Sequence, residues 1–185
     1  QATGVWHAIR AVHKETGFWP ILVQNDGVID ELFSTLERHD ENFEGYFEET
    51  VSEGLAIDFK SWLKLQEPEP QDNDELMGEW PEEAEPAHVL VQLLDLRVDE
   101  EGRFAMQQLS EVLLVLCPLQ EPWQLPALLK LGGWNACPDA PHHVAGFKYW
   151  CERYAAEPAF FSYDTFEFIV NNPPIDNDSA LELAI

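Results

Sequence analysis

Apolar residues near the start of the chain recur at helical spacing. Val5, Ile9 and Val12, with Ala8 beside them, lie opposite Arg10 and Lys14, which predicts a helix over Val5–Glu15. Gly17 stops it, because left-handed backbone costs little without a Cβ. Phe18–Gln24 is a continuous apolar run broken only by Pro20, the pattern of a strand buried on both faces with the proline near its start. Asn25-Asp26-Gly27 is turn chemistry. Helices are predicted over Val28–Glu37, Phe43–Glu53 and Ile57–Leu65 from their 3.6-residue apolar period.

The second half alternates more quickly. His88–Val98 reads as a strand in which Val89, Val91 and Leu93 change phase to Leu94, Leu96 and Val98; a phase change of this kind predicts a bulge or kink. Asp99-Glu100-Glu101-Gly102 is a hairpin turn in type, with Arg103–Leu109 as the returning strand. Glu111–Cys117, ended by Pro118, is a solid apolar run and predicts another buried strand. Helices follow at Trp123–Leu131 and Asp139–Tyr154, the latter with Val144, Phe147, Cys151 and Tyr154 on one side. Pro158–Ser162 and Thr165–Val170 are strands, and Ser179 is a candidate cap for a last helix. One echo runs through the chain. Ile9, Val12, Gly17, Pro20, Leu22 and Val23 fall opposite Phe147, Trp150, Ala155, Pro158, Phe160 and Phe161. Each set is a helix, a small residue and a proline-led strand, and together they support an α+β layer fold.

Between the short helix expected at Trp123–Leu131 and the longer one at Asp139–Tyr154 lies Gly132-Gly133-Trp134-Asn135-Ala136-Cys137-Pro138. The glycines suit a helix stop, Asn135 tolerates left-handed geometry, and Pro138 pushes Cys137 towards an extended conformation. Asp139 is a candidate N-cap, with Pro141 tolerated in the first turn. This string, followed by His143, Tyr149-Trp150, Glu152-Arg153-Tyr154, Asp164-Thr165 and Pro173-Pro174, resembles the bacterial domain-of-unknown-function family 4253 over roughly Glu111–Ile185. The opening Trp6–Val23 resembles the start of longer members. The resemblance implies no catalytic residues, and it marks Ala184-Ile185 as falling inside a helix that the family pattern continues.

Composition narrows the picture. The chain has 185 residues, 45% of them hydrophobic, with seven tryptophans and eleven phenylalanines. That fits one folded domain over residues 1–185 with a family-like core at roughly 111–185. No run is long enough to span a bilayer and no secretory leader is visible. Three cysteines without regular spacing are not a disulfide framework and point to the cytoplasm.

Charge changes the picture most. Ten basic residues stand against thirty-five acidic ones, a formal net charge of −25. Nucleic acid and anionic membranes are therefore not expected as partners. Solubility accounts for such a surface, and so does a basic protein partner. The densest stretch, Glu67–Ala87, carries four prolines, many acids and no basic residue; it is expected to be an acidic surface loop or linker.

Candidate chemistry is sparse. Cys137 lies just before a helix N-terminus with His142 and His143 in the first turn, the minimum for a nucleophile and its base. The acidic surroundings and the lack of a catalytic signature argue instead for a packing cysteine. Trp134, Asn135, His143, Trp150 and Arg153 are candidates for a common binding pocket, with Glu157 or Asp164 as the acid holding Arg153. The plainer account is that both tryptophans are core. Neither metal-ligand spacing nor a phosphate loop, dinucleotide fingerprint or calcium loop is present, so no metal and no cofactor is expected. The expected fold is α+β: a single mixed sheet with flanking helices and the acidic loop. The expected function is protein binding, with an immunity or antitoxin-like role fitting the charge. The alternative is a small hydrolase or transferase using Cys137 and His143. Oligomeric state is not legible.

Overall fold

A computed structural model describes residues 2–25, 27–30, 34, 43–66, 93–98, 104–109, 111–162, 165–176 and 179–180. The elements among them, in chain order, are α1 (Ala2–Ala11), α2 (His13–Thr16), β1 (Trp19–Gln24), α3 (Phe43–Ala56), α4 (Phe59–Lys64), β2 (Leu94–Val98), β3 (Phe104–Gln108), β4 (Val112–Cys117), α5 (Leu125–Leu129), α6 (Ala140–Tyr154), β5 (Ala156–Phe161) and β6 (Phe166–Val170). One mixed four-stranded sheet has the order β4-β1-β5-β6, and β2 and β3 pair separately. β1 is antiparallel to β4 and parallel to β5, while β5 and β6 are antiparallel. The fold is α+β, as the alternation of helical and strand patterns predicts. The acidic stretch Glu67–Ala87, the Asp99–Gly102 turn and most of the helix expected over Val28–Glu37 lie outside the described residues; Val28 to Asp30 and Ser34 are helical.

β1 holds the sheet together. All six of its residues are buried, as a run apolar on both faces requires. Pro20 is tolerated because β5 joins β1 only further along, at Leu22 and Val23. The echo in the sequence takes physical form here. Leu22 stands in register with Phe160 and Val23 with Phe161. Each strand follows a helix closed by a left-handed residue, Gly17 at φ 73 and Ala155 at φ 48. The indole N–H of Trp19 then crosses to the Pro158 carbonyl at 3.0 Å.

Several expectations need correction. The first helix breaks at Val12, and its buried face is not the valine stripe: Val5 is 48% and Val12 39% exposed, whereas Trp6 is 1% exposed and His13 is buried. The helix turns to bury its largest side chain, whose indole N–H donates to the Pro20 carbonyl at 2.8 Å. β4 is an edge strand and not a fully covered one, with Leu116 48% exposed and only Cys117 buried. The left-handed cap of α5 is Lys130, not a glycine. Asp139 stands at the N-cap of α6 without a side-chain cap hydrogen bond. Asp176, not Ser179, makes the last cap, accepting the Ser179 backbone N–H at 2.8 Å.

α6 lies along the sheet. Phe147 meets Phe166 and Phe168 edge-on, with ring centroids 5.1 and 4.8 Å apart. α3 and α4 pack on α6 through two helix glycines. A Cβ on Gly54 would lie 2.6 Å from Val144 Cγ1, and one on Gly146 would lie 2.9 Å from Phe59 Cε2. That close approach brings α3 beside the N-terminus of α6 and creates the recess described next.

Candidate functional site

Two features meet where α3, the Lys130–Pro138 connection and the start of α6 converge. The first is a cavity of about 670 Å³ lined by Tyr46, Glu49, Thr50 and Glu53 from α3, Lys130 to Gly133, and Asp139 to Pro141. The α3 residues fall at i, i+3, i+4 and i+7, one face of a helix. Glu49, Glu53 and Asp139 bring three carboxylates to the wall. Lys130 is the basic residue of that wall, but its ammonium is buried without a hydrogen-bond partner. It lies 4.9 Å from the Tyr46 ring centroid and 5.3 Å from that of Phe43, where ring quadrupoles supply the attraction. The cavity therefore presents carboxylates and keeps its cation withdrawn.

The second feature is the joint that builds one side of this cavity. Gly133 N–H donates to the Pro138 carbonyl at 3.1 Å, and Cys137 N–H donates to the Trp134 carbonyl at 2.9 Å. Gly132, Gly133 and Asn135 have φ of 85°, 75° and 51°. At Gly132 the requirement for glycine is steric as well as conformational, since a Cβ would meet the Pro138 oxygen and the His143 ring. Cys137 Sγ lies 3.4 Å from His143 Nε2. Burial, aided by the Asp139 charge, pushes the Cys137 thiol up. Burial pulls His143 down, against a hydrogen bond with the Pro138 backbone that favours its protonated form. Both shifts favour a neutral pair, S–H donating to imidazole nitrogen, over thiolate and imidazolium.

The candidate residues read from the sequence separate. Cys137 and His143 touch. Trp134 is 50% exposed and Asn135 is exposed, both on the turn and outside the cavity wall. Trp150 packs among Phe59, Phe147 and Phe168, in line with the core account of that residue. Arg153 sits over the Tyr154 ring, 5.8 Å from its centroid, about 15 Å along the helix axis from His143. Glu157, one of the acids expected to hold Arg153, pairs with Arg10; the other, Asp164, lies outside the described residues. Among the described residues no group of three or more His, Cys, Asp or Glu side chains could hold a metal ion. No helix among them is long and apolar enough to cross a membrane.

Sequence reasoning missed Tyr46, Glu49, Glu53 and Lys130. The helical spacing of the first three was visible, but it identifies only a polar face. That the face opposes Gly132 and Gly133 is a matter of packing.

No curated protein and no solved structure matches this chain. The segment that carries the joint, α6 and the last two strands is another matter: residues 113–185 match the model of the family described as Domain of unknown function (DUF4253), the family that the Gly132–Pro138 string points to.

Proposed function

We propose that this chain is a protein-binding module for a basic partner, acting in the bacterial cytoplasm, and that a cationic side chain of the partner enters the cavity between α3 and α6. The observation that carries this reading is the composition of the wall. Glu49, Glu53 and Asp139 line it, while the Lys130 ammonium is turned onto two aromatic rings. A guanidinium or ammonium entering there gains carboxylate partners, and charge-assisted hydrogen bonds are stronger than neutral ones. The net charge of −25 steers such a partner in from a distance. An immunity or antitoxin-like pairing with a cationic protein is consistent with both.

Calorimetric titration with a short arginine-rich peptide tests the reading. Binding is expected at low salt and should weaken as salt rises. The double substitution Glu49→Gln and Glu53→Gln removes two of thirty-five acidic charges. Diffuse attraction predicts little change from it, whereas cavity binding predicts a loss of at least about tenfold in affinity. Glu15→Gln with Glu111→Gln, at exposed positions away from the cavity, is the control of equal charge. Equal effects from the two pairs would overturn the proposal.

A small hydrolase or transferase using Cys137 and His143 is favoured by one observation, their 3.4 Å contact. The directions in which burial moves the two groups oppose it, because an activated thiol needs the reverse.

A further inference from the structure

Lys130 makes poor use of a primary ammonium. Such a group carries three N–H donors, yet the Lys130 Nζ is buried without a hydrogen-bond partner. Glu49, Glu53 and Asp139 line the same cavity, and a charge-assisted hydrogen bond to a carboxylate would use those donors. The ammonium lies instead over the rings of Tyr46 and Phe43, 4.9 and 5.3 Å from their centroids. These rings stand at i and i+3 on α3, so they are neighbours on its surface. Phe43 does not pack on the hydrophobic core, whereas Phe47, one turn further on, does. Tyr46 lines the cavity together with Lys130.

We propose that Tyr46 and Phe43 form a seat for a quaternary ammonium group, and that Lys130 fills this seat while the cavity is empty. The entering group displaces the lysine onto the carboxylates of the wall. A trimethylated lysine of a partner protein and free choline carry this same headgroup. The inference names the class of cation for the cavity and rests on the reading that a cation enters it.

The exchange gives each cation the partner it suits. A quaternary nitrogen has no N–H, so it forgoes no hydrogen bond on an aromatic face, where the ring quadrupole attracts it. A primary ammonium moved to Glu49, Glu53 or Asp139 regains acceptors for its donors. Only the flexible four-carbon stem of Lys130 has to turn, because its backbone is set as the left-handed cap of α5. The adjoining cavity of about 670 Å³ gives room to a headgroup bulkier than the ammonium it replaces. A guanidinium, with five donors in a planar fork, gains more from the carboxylates than from the rings.

The test is calorimetric titration of the full chain at one fixed salt concentration. Two peptides are compared that differ only in one lysine, unmodified or trimethylated. The trimethylated peptide is expected to bind at least about tenfold more tightly, and Phe43→Leu should remove that preference. Equal affinities, or a preference for the unmodified lysine, overturn the proposal. This arm is read on the unsubstituted chain, so a poorly folded variant does not leave it undecided. In Lys130→Ala the affinity for tetramethylammonium should rise at least about tenfold, because the seat is already vacant; an unchanged affinity overturns Lys130 as its occupant. Choline matching the trimethylated peptide assigns the seat to a free quaternary ammonium compound, and a tighter peptide assigns it to a protein side chain. A chain that binds the arginine-rich peptide but does not prefer trimethyl-lysine loses the seat and keeps the carboxylate reading. A chain that binds tetramethylammonium and the trimethylated peptide but not the arginine-rich one keeps the seat and loses that reading.

Discussion

The Pro138 carbonyl oxygen occupies the space that a side chain on Gly132 would need: an ideal Cβ there would stand 1.8 Å from it. Backbone cannot yield as a flexible side chain does, and φ at Gly132 is 85°. Gly132→Ala should therefore cost more than about 2 kcal/mol, from left-handed strain plus displacement of the joint. Gly133→Ala faces the Asp139 carboxylate at 3.1 Å, a movable group, and should cost about 1 kcal/mol. Urea unfolding of the two variants checks the order. Equal losses would mean that the Pro138 contact is unimportant.

Gly54→Ala should destabilise the protein although alanine favours helix by about 1 kcal/mol. The added methyl would lie 2.6 Å from Val144 Cγ1 and 2.8 Å from the Pro141 carbonyl. Overpacking of this kind costs about 1–3 kcal/mol. Val144→Ala in the same chain should recover part of the loss. A simple gain in melting temperature from Gly54→Ala would contradict the close α3–α6 approach.

Residues 113–185 should not fold alone. β4 and β5 are not neighbours; β1 lies between them and pairs with both. Without it, Phe160 and its neighbours lose their cover, and two sheet edges open inside the core. A fragment of residues 111–185 is expected to lack cooperative thermal unfolding, and a synthetic peptide of residues 2–25 should restore it. Cooperative unfolding of the fragment by itself would show that β1 is dispensable.

Acidification should destabilise through two histidines. Burial is the largest influence on both His13 and His143, and it lowers each below the ordinary value of 6.5. A histidine held neutral by the fold binds its proton more readily when unfolded. The stability it contributes is complete above 6.5 and is lost as pH falls from there through the folded-state value. Urea midpoints measured from pH 8 to pH 5 should fall, and less steeply in His143→Gln. An identical slope in that variant would exclude His143 as a contributor.

What the sequence determined by itself was local. Mostly apolar runs at Phe18–Gln24, Pro158–Ser162 and Thr165–Val170 and the helical periods around them specify which segments become strands and helices, because burial requires that patterning. The echo between the two helix–strand units even matched residues that pair, Leu22 with Phe160 and Val23 with Phe161. Left-handed backbone at Gly17 and Asn135 was legible from residue type. Tertiary structure decided what depends on residues distant in sequence. It turned α1 so that Trp6, not the valine stripe, met Pro20. It placed β4 at an edge, where an apolar run remains half-exposed. It set Glu49 and Glu53 across a cavity from Asp139, and withdrew Lys130 onto the rings of Tyr46 and Phe43. Periodicity gives a residue its side of one element, but the surface opposing that side is chosen only when every element competes for the same core.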